Sequence, residues 1–511
     1  MIIMGDFTNQ TDKQNKNVIV WLDFGPLAYL NFGIASALSK IENYNFIGIV
    51  SEKRDMSFFE NQQKISFQKL LYYPECYIGK SSFDLNDLKK FESNFDLNIW
   101  TEIFTERSFY KYWTQFYKFN HDEILTIVYH TISYFVNVLE KNKPELIIMK
   151  QVGDNIANLL FYKIAKKLGI KIIMVNESYL MNNIIISDNL VSTEISDEFK
   201  KLKTNFKKSS KIYDIEFIKN YDLFDSISIL LQDTNFKKSL SQKISFYMKR
   251  LSIGTPSIYQ NIGKTKFKML QYRLKNYLEV KKRTKFLDTN STKSIDNENF
   301  FYFPLASEPE ARLLARSPFF TNQIALAENI AKSIPINSVL YVKEHPLQKI
   351  KFWRPITDYQ KLINIPNVKL IHPSTNHHKL LEKCQGVISI SGGATFEAIF
   401  YKKPIILFSD ENYDDLSTVT KVKTFQTLHD DIKDALNNFN FNNDELDAFM
   451  QAYDKHTLTL PFDQIRKDAE TLSSIQWYVH DYNLTIKEFM KFYKYYETYF
   501  ELIAKKIYSK L

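Results

Sequence analysis

The sequence predicts an α/β protein of two doubly wound, Rossmann-like domains with a cleft between them, a basic helical insertion and a C-terminal helix. Three observations predict it. Short apolar runs alternate with helical spacing near the start of the chain and again from Phe300 onward, the pattern of parallel strands joined by crossover helices. The chain has 511 residues, too many for one core of ordinary size. Between the two alternating regions the pattern breaks and the charge changes. Phe236 to Lys285 holds 14 lysines and arginines against the single acid Glu279, a charge of +13, so the rest of the chain sums to −4 within a total of +9.

The first domain is expected over residues 18–231. Val18 to Asp23 reads as a strand, Leu27 to Ile41 as a helix and Phe46 to Val50 as a second strand. Glu145 to Met149 and Lys171 to Val175 read as strands flanking a helix from about Ile156 to Leu168. Gly169 stands where a helix C-terminus favours a left-handed residue. Residues 232–299 form the expected insertion and linker. One helical stripe runs through Leu240, Ile244, Met248 and Leu251, another through Phe267, Leu270, Leu274, Tyr277 and Leu278, and the polar run Asp288 to Asn299 reads as the linker.

The second domain, residues 300–472, alternates more clearly. Phe300 to Leu305, Val339 to Lys343, Val368 to Ile371, Gly386 to Ile390 and Pro404 to Phe408 read as strands. Asn322 to Ile334, His378 to Lys383 and Thr395 to Tyr401 read as helices. The aromatic tail, residues 473–511, reads as a helix crossing back along the domain seam.

Composition excludes several classes. Cys76 and Cys384 are the only cysteines, so neither a disulfide framework nor a cysteine metal site is expected, and a reducing cytoplasm is the simpler home. Residues 1–17 are expected to be disordered. They lack the apolar core of a secretory signal, and no stretch reaches the ~20 apolar residues of a membrane span. A cytoplasmic protein, peripheral at most on the inner face of the plasma membrane, is expected.

Three segments carry candidate chemistry, each just after a strand of the second domain, where open α/β sheets bind ligands. In Ser389-Ile390-Ser391-Gly392-Gly393-Ala394-Thr395-Phe396-Glu397 a small-residue turn leads straight into a helix. Hydroxyls and N–H groups there suit a phosphate, and Glu397, one turn later, suits ribose hydroxyls; a plain capped helix start is the ordinary alternative. In Lys343-Glu344-His345-Pro346 the proline stiffens a loop that turns His345 toward the cleft, where it would stabilise charge on a departing nucleotide. A surface histidine beside a Lys343–Glu344 ion pair is the alternative. In Ala306-Ser307-Glu308-Pro309-Glu310 two carboxylates stand on a proline-stiffened loop as acid or base candidates.

Taken together, "FYFPLASEPEARLLARSPFFTNQIALAENIAKSIP…LYVKEHP", "IPNVKLIHP" and "VISISGGATFEAIFYKKPIILFSD" resemble the bacterial capsule polysaccharide biosynthesis family, over about Phe300 to Asp410. That family includes transferases that move Kdo from CMP-Kdo onto lipid-linked glycans. The resemblance implies a GT-B fold with the nucleotide-sugar donor held by the second domain, and it matches at His345, Pro346, Ser389 and Ser391; Lys343, Gly392, Gly393, Thr395 and Glu397 complete the candidate donor site read from the residues. The His-Pro pair and the serine-rich turn are also similar to motifs of GT-B sialyltransferases, which favours a CMP-activated acidic sugar. Where such enzymes often carry an acidic pair followed by glycine, this chain has Asn176-Glu177-Ser178. Glu177 and Asp154 are therefore the first catalytic candidates, followed by His345, Glu308 and Glu310.

The expected function is a metal-independent glycosyltransferase without a cofactor, acting on a surface-polysaccharide or lipid-linked glycan acceptor. The basic segment 236–285 is the expected contact with an anionic membrane surface, and no nucleic-acid partner is expected. A GT-B-fold sugar-nucleotide epimerase and a non-catalytic capsule assembly protein are the alternatives.

Overall fold

Strands buried on both faces read as continuous apolar runs whose alternate residues serve two different cores. The strand β1 (Lys16–Leu22) does this. Val18, Val20 and Leu22 enter one cluster, while Ile19 and Trp21 enter the other. The computed structural model describes residues 16–23, 25–150, 152–153, 155–221, 256–349, 354–474 and 482–511. Asp154 and the stripe Leu240 to Leu251 lie outside the described residues. The disordered N-terminus expected over 1–17 lies outside them as far as residue 15, and Lys16 and Asn17 already belong to β1.

The remaining strands of the first domain are β2 (Tyr44–Val50), β3 (Phe67–Tyr72), β4 (Leu146–Lys150), β5 (Lys171–Glu177) and β6 (Asn183–Ser187). The second domain contributes β7 (Phe300–Pro304), β8 (Val339–Lys343), β9 (Val368–Ile371), β10 (Gly386–Ser389), β11 (Ile405–Leu407) and β12 (Val419–Lys421), and β13 (Thr457–Thr459) follows. The first sheet runs β13-β6-β5-β4-β1-β2-β3 and the second β12-β11-β10-β7-β8-β9. All pairs are parallel except β5–β6 and β6–β13. Around β7 the order is that of a dinucleotide-binding sheet, with the topological switch point between β7 and β10.

Three boundaries differ from the sequence reading. The segment after β6 packs on the second domain, not the first. Helix Thr193–Thr204 buries Ile195 and Phe199 in the same cluster as Phe396, Phe449 and Tyr453. The return to the first domain begins at Thr457 rather than at 473, because β13 extends the first sheet. Its final helix, Tyr482–Tyr508, lies on helix Pro26–Leu38 rather than along the seam. Gly33 permits that approach: a Cβ there would stand 2.7 Å from the Phe500 ring. The expected linker is partly helical, since helix Lys266–Asn290 continues through Asp288.

Candidate active site

The cleft opens at the carboxyl ends of β7, β8 and β10 and encloses about 550 Å³. Its second-domain wall is made by Ser307 and Glu310 after β7, Lys343, His345 and Pro346 at the end of β8, and Ser391 to Gly393 with Glu397 after β10. The opposite wall comes from the first domain, with Glu177 and Ser178 at the end of β5 and Leu27, joined by Arg466 from helix Phe462–Ser474. The three segments singled out in the sequence therefore meet at one site, and Glu177 faces them.

Within the turn, the residues divide by role. Gly392 has φ 126°, a conformation that disfavours a side chain, and helix Gly393–Phe400 starts directly after it. Ser391, Gly392 and Gly393 border the cleft. Ser389 is buried and donates to the Ser391 carbonyl at 3.1 Å. Thr395 is buried too, meeting the Gly392 carbonyl at 2.8 Å and the Tyr413 hydroxyl at 2.6 Å. Neither hydroxyl lines the cleft, so both shape the turn instead of touching what fills it.

Glu397 does line the cleft, and His377 holds it: His377 Nε2 is 2.8 Å from Glu397 Oε2, and its Nδ1 is 3.1 Å from the Tyr302 hydroxyl. Burial above all, then the Glu397 charge, pushes the Tyr302 phenol well above its usual range. Lys343 is only 3% exposed. Burial pushes its ammonium down to about 8, against the pull of Glu344 and Glu397. A buried cation, its charge disfavoured by burial, thus stands among the candidate phosphate-binding groups.

Glu344, which also lines the cleft, and the catalytic candidate Glu308 are both engaged by Arg354. Glu344 accepts from Arg354 Nη1 at 2.6 Å, from the Tyr359 hydroxyl at 2.5 Å and from the His345 N–H at 2.7 Å. Glu308, outside the cleft lining, accepts from Arg354 Nη2 at 3.0 Å and Gln323 at 2.8 Å. Lys111 at 3.0 Å and Tyr112 at 3.1 Å reach it from the first domain. Burial works against the Glu308 charge, but Arg354 and Lys111 outweigh it and hold the carboxyl below its usual value. Glu308 is thus part of a buried ion-pair network bridging the domains, not a free acid. Glu310 does border the cleft. Glu177 also does, paired with Arg466 at 2.7 Å.

The sequence reading missed Tyr302, His377 and Arg466, all of which line the cleft. No local signal joins His377 to Glu397, 20 positions later; the fold does. A larger groove of about 670 Å³ lies on the first domain beside Tyr77, Phe119 and Tyr259, and contains none of the sequence-predicted residues. Among the described residues, no group of three His, Cys, Asp or Glu side chains could hold a metal ion.

Two Rossmann-type sheets facing each other across a cleft lined by cations, a glycine turn and carboxylates define a GT-B-like protein. The family model described as capsule polysaccharide biosynthesis protein matches residues 163–440, more than half of the chain, and the chain belongs to that family. No curated protein matches it. Among solved structures it is 17% identical to the UDP-GlcNAc 2-epimerase of Methanocaldococcus jannaschii, covering 86% of this chain and 99% of that one, with a TM-score of 0.24. It is 12% identical to the beta Kdo 2,4 transferase of Thermosulfurimonas dismutans KpsC, covering 62% and 85%, with a TM-score of 0.30. The beta Kdo 2,7 transferase of the same protein gives 9% identity, 62% and 79% coverage, and a TM-score of 0.29. Likenesses of this size carry no functional weight.

Proposed function

We propose that this chain is a metal-independent glycosyltransferase whose donor is a nucleotide sugar, favoured as a CMP-activated acidic sugar such as Kdo. Its acceptor would be a surface-polysaccharide or lipid-linked glycan. One observation carries the reading. The β8 loop, the β10 turn and the Glu177 strand end, chosen separately in the sequence, line a single cleft between the domains.

In this reading the donor phosphate lies between His345 and the Ser391–Gly393 turn, with Lys343 behind them. Positive groups and N–H dipoles there stabilise the charge that develops as the nucleotide departs. Glu397 accepts from the donor's ribose hydroxyls. Glu177, with Glu310 next to be tested, takes the proton from the attacking acceptor hydroxyl. Capsule family membership supports a glycan product.

The test is product analysis with purified protein, CMP-Kdo or UDP-GlcNAc, and a lipid-linked glycan acceptor. Nucleotide release that requires acceptor, with a product heavier by one sugar, is expected. An epimerised sugar nucleotide formed without acceptor would replace the transferase by the epimerase. Absence of sugar-nucleotide binding would leave a non-catalytic assembly role.

The proposal extends to an anionic membrane surface as a partner, a contact that would bring the cleft to a lipid-linked acceptor. Phe267, Leu270, Leu274, Tyr277 and Leu278 are between 46% and 67% exposed. At 100° per residue they fall within about 100° of one helix face. Lys266 and Arg273 border that stripe on one side, Lys268, Lys275 and Lys282 on the other. An apolar stripe between two rows of cations suits a helix lying in a lipid interface. Arg283 is not part of this face, because it is buried and donates to the Gln348 carbonyl.

A further inference from the structure

We propose that His377 is a positioning residue for nucleotide recognition: it holds the Glu397 carboxylate in the orientation that receives the vicinal diol of the donor's ribose. The inference rests on the reading that a nucleotide occupies the cleft.

The geometry runs in one line from the sheet to the cleft. Tyr302 stands in β7, is buried, and meets His377 Nδ1. His377 opens helix His377–Lys383 behind the cap Asn376, whose side chain accepts from the Lys379 N–H at 3.0 Å. Its other nitrogen meets Glu397 Oε2. A buried neutral phenol has one proton to give. Donated to Nδ1, it fixes the imidazole as the Nε2–H tautomer, which then donates to the carboxylate. Glu397 Oε1 lies over the turn, 3.5 Å from the position a Cβ on Gly393 would take. One oxygen is thus anchored and the other is directed along the cleft-lining glycine.

Glu397 sits one turn into its helix with a side chain 12% exposed. Without an anchor, such a carboxylate can turn toward the buried Lys343 nearby, whose charge already interacts with it. His377 prevents that turn. It touches neither phosphate nor sugar in this account, so its loss should change which nucleosides bind rather than abolish binding.

The test compares CMP and UDP with their 2′,3′-dideoxy counterparts, by titration calorimetry, on wild type, His377→Leu, Tyr302→Phe and Glu397→Gln. Wild type should prefer the ribonucleotide by about tenfold to a hundredfold, the value of hydrogen bonds to a charged acceptor. His377→Leu should bring that ratio close to one while dideoxynucleotide affinity stays within about twofold. Tyr302→Phe, which keeps the ring and frees the tautomer, should lose part of the preference and serves if the leucine variant does not fold. Combining His377→Leu with Glu397→Gln should add nothing to either single change. Equal weakening of both nucleotide forms, or an intact preference in His377→Leu and Tyr302→Phe, overturns the inference alone. Absence of binding of either nucleotide to wild type overturns the nucleotide reading and the inference with it.

Discussion

Lys343 is where binding and stability pull in opposite directions. Its folded pKa, about 8, lies below its ordinary value of 10.5, so the unfolded chain holds more protons between those two values. Wild-type stability should therefore rise as pH climbs from about 8 toward 10.5, and the cost of burying the charge is fully present below about 8. Lys343→Met should stabilise the protein at pH 7 by about 3 kcal/mol, read as a raised melting temperature, with the gain shrinking above pH 8. Nucleotide affinity should move the other way, falling in wild type above about pH 8 and low at every pH in the variant. A methionine variant no more stable than wild type at pH 7 would show that the ammonium is not held in a poor environment. Glu177 makes a second residue-scale prediction. Glu177→Gln should lower kcat by about 10²–10⁴-fold with nucleotide affinity preserved, measured as initial rate of nucleotide release with acceptor. A drop below about tenfold would pass the role to Glu310.

Helix Lys266–Asn290 carries the element-scale prediction. Wild type should pellet with anionic vesicles at low salt and be released as salt rises, since such charges are screened over about 8–10 Å. Leu274→Asp and Tyr277→Asp should reduce pelleting at every salt concentration, and Lys281→Glu with Lys282→Glu should reduce it most at low salt. Pelleting unchanged in all these variants would make the stripe a cover for another part of the chain. At this scale much of the fold was legible in the sequence. Val339–Lys343 and Val368–Ile371 were readable to the residue, because a buried parallel strand is an apolar run between turn residues. The antiparallel additions were not. Thr457–Thr459 is three residues without an apolar pattern, and it becomes a strand only because β6 offers an unpaired edge. Asp288 to Asn290 resembles a linker because its side chains are exposed, although the backbone there is still helical. In the site, loops after strands announced themselves, whereas Tyr302, His377 and Arg466 converge from distant positions and Glu308 hides its burial behind a loop-like sequence.

Across the whole molecule, the domains are tied by Glu308, which draws Lys111 and Tyr112 of one domain onto the Arg354–Glu344 network of the other. Removing one partner of a buried pair costs about 3–5 kcal/mol because the other charge remains. Glu308→Gln should therefore lower the melting temperature, and calorimetry should resolve separate transitions for the two domains. A single unshifted transition would mean that the network does not couple them. The central claim, that the cleft between His345 and the Ser391–Gly393 turn holds the donor nucleotide, is tested most directly by titrating CMP and UDP into wild type, His345→Ala and Ser391→Ala. The account predicts that at least one nucleotide binds wild type and that each substitution weakens it about tenfold or more, with melting temperature little changed. Nucleotide affinity equal in all three proteins would contradict it.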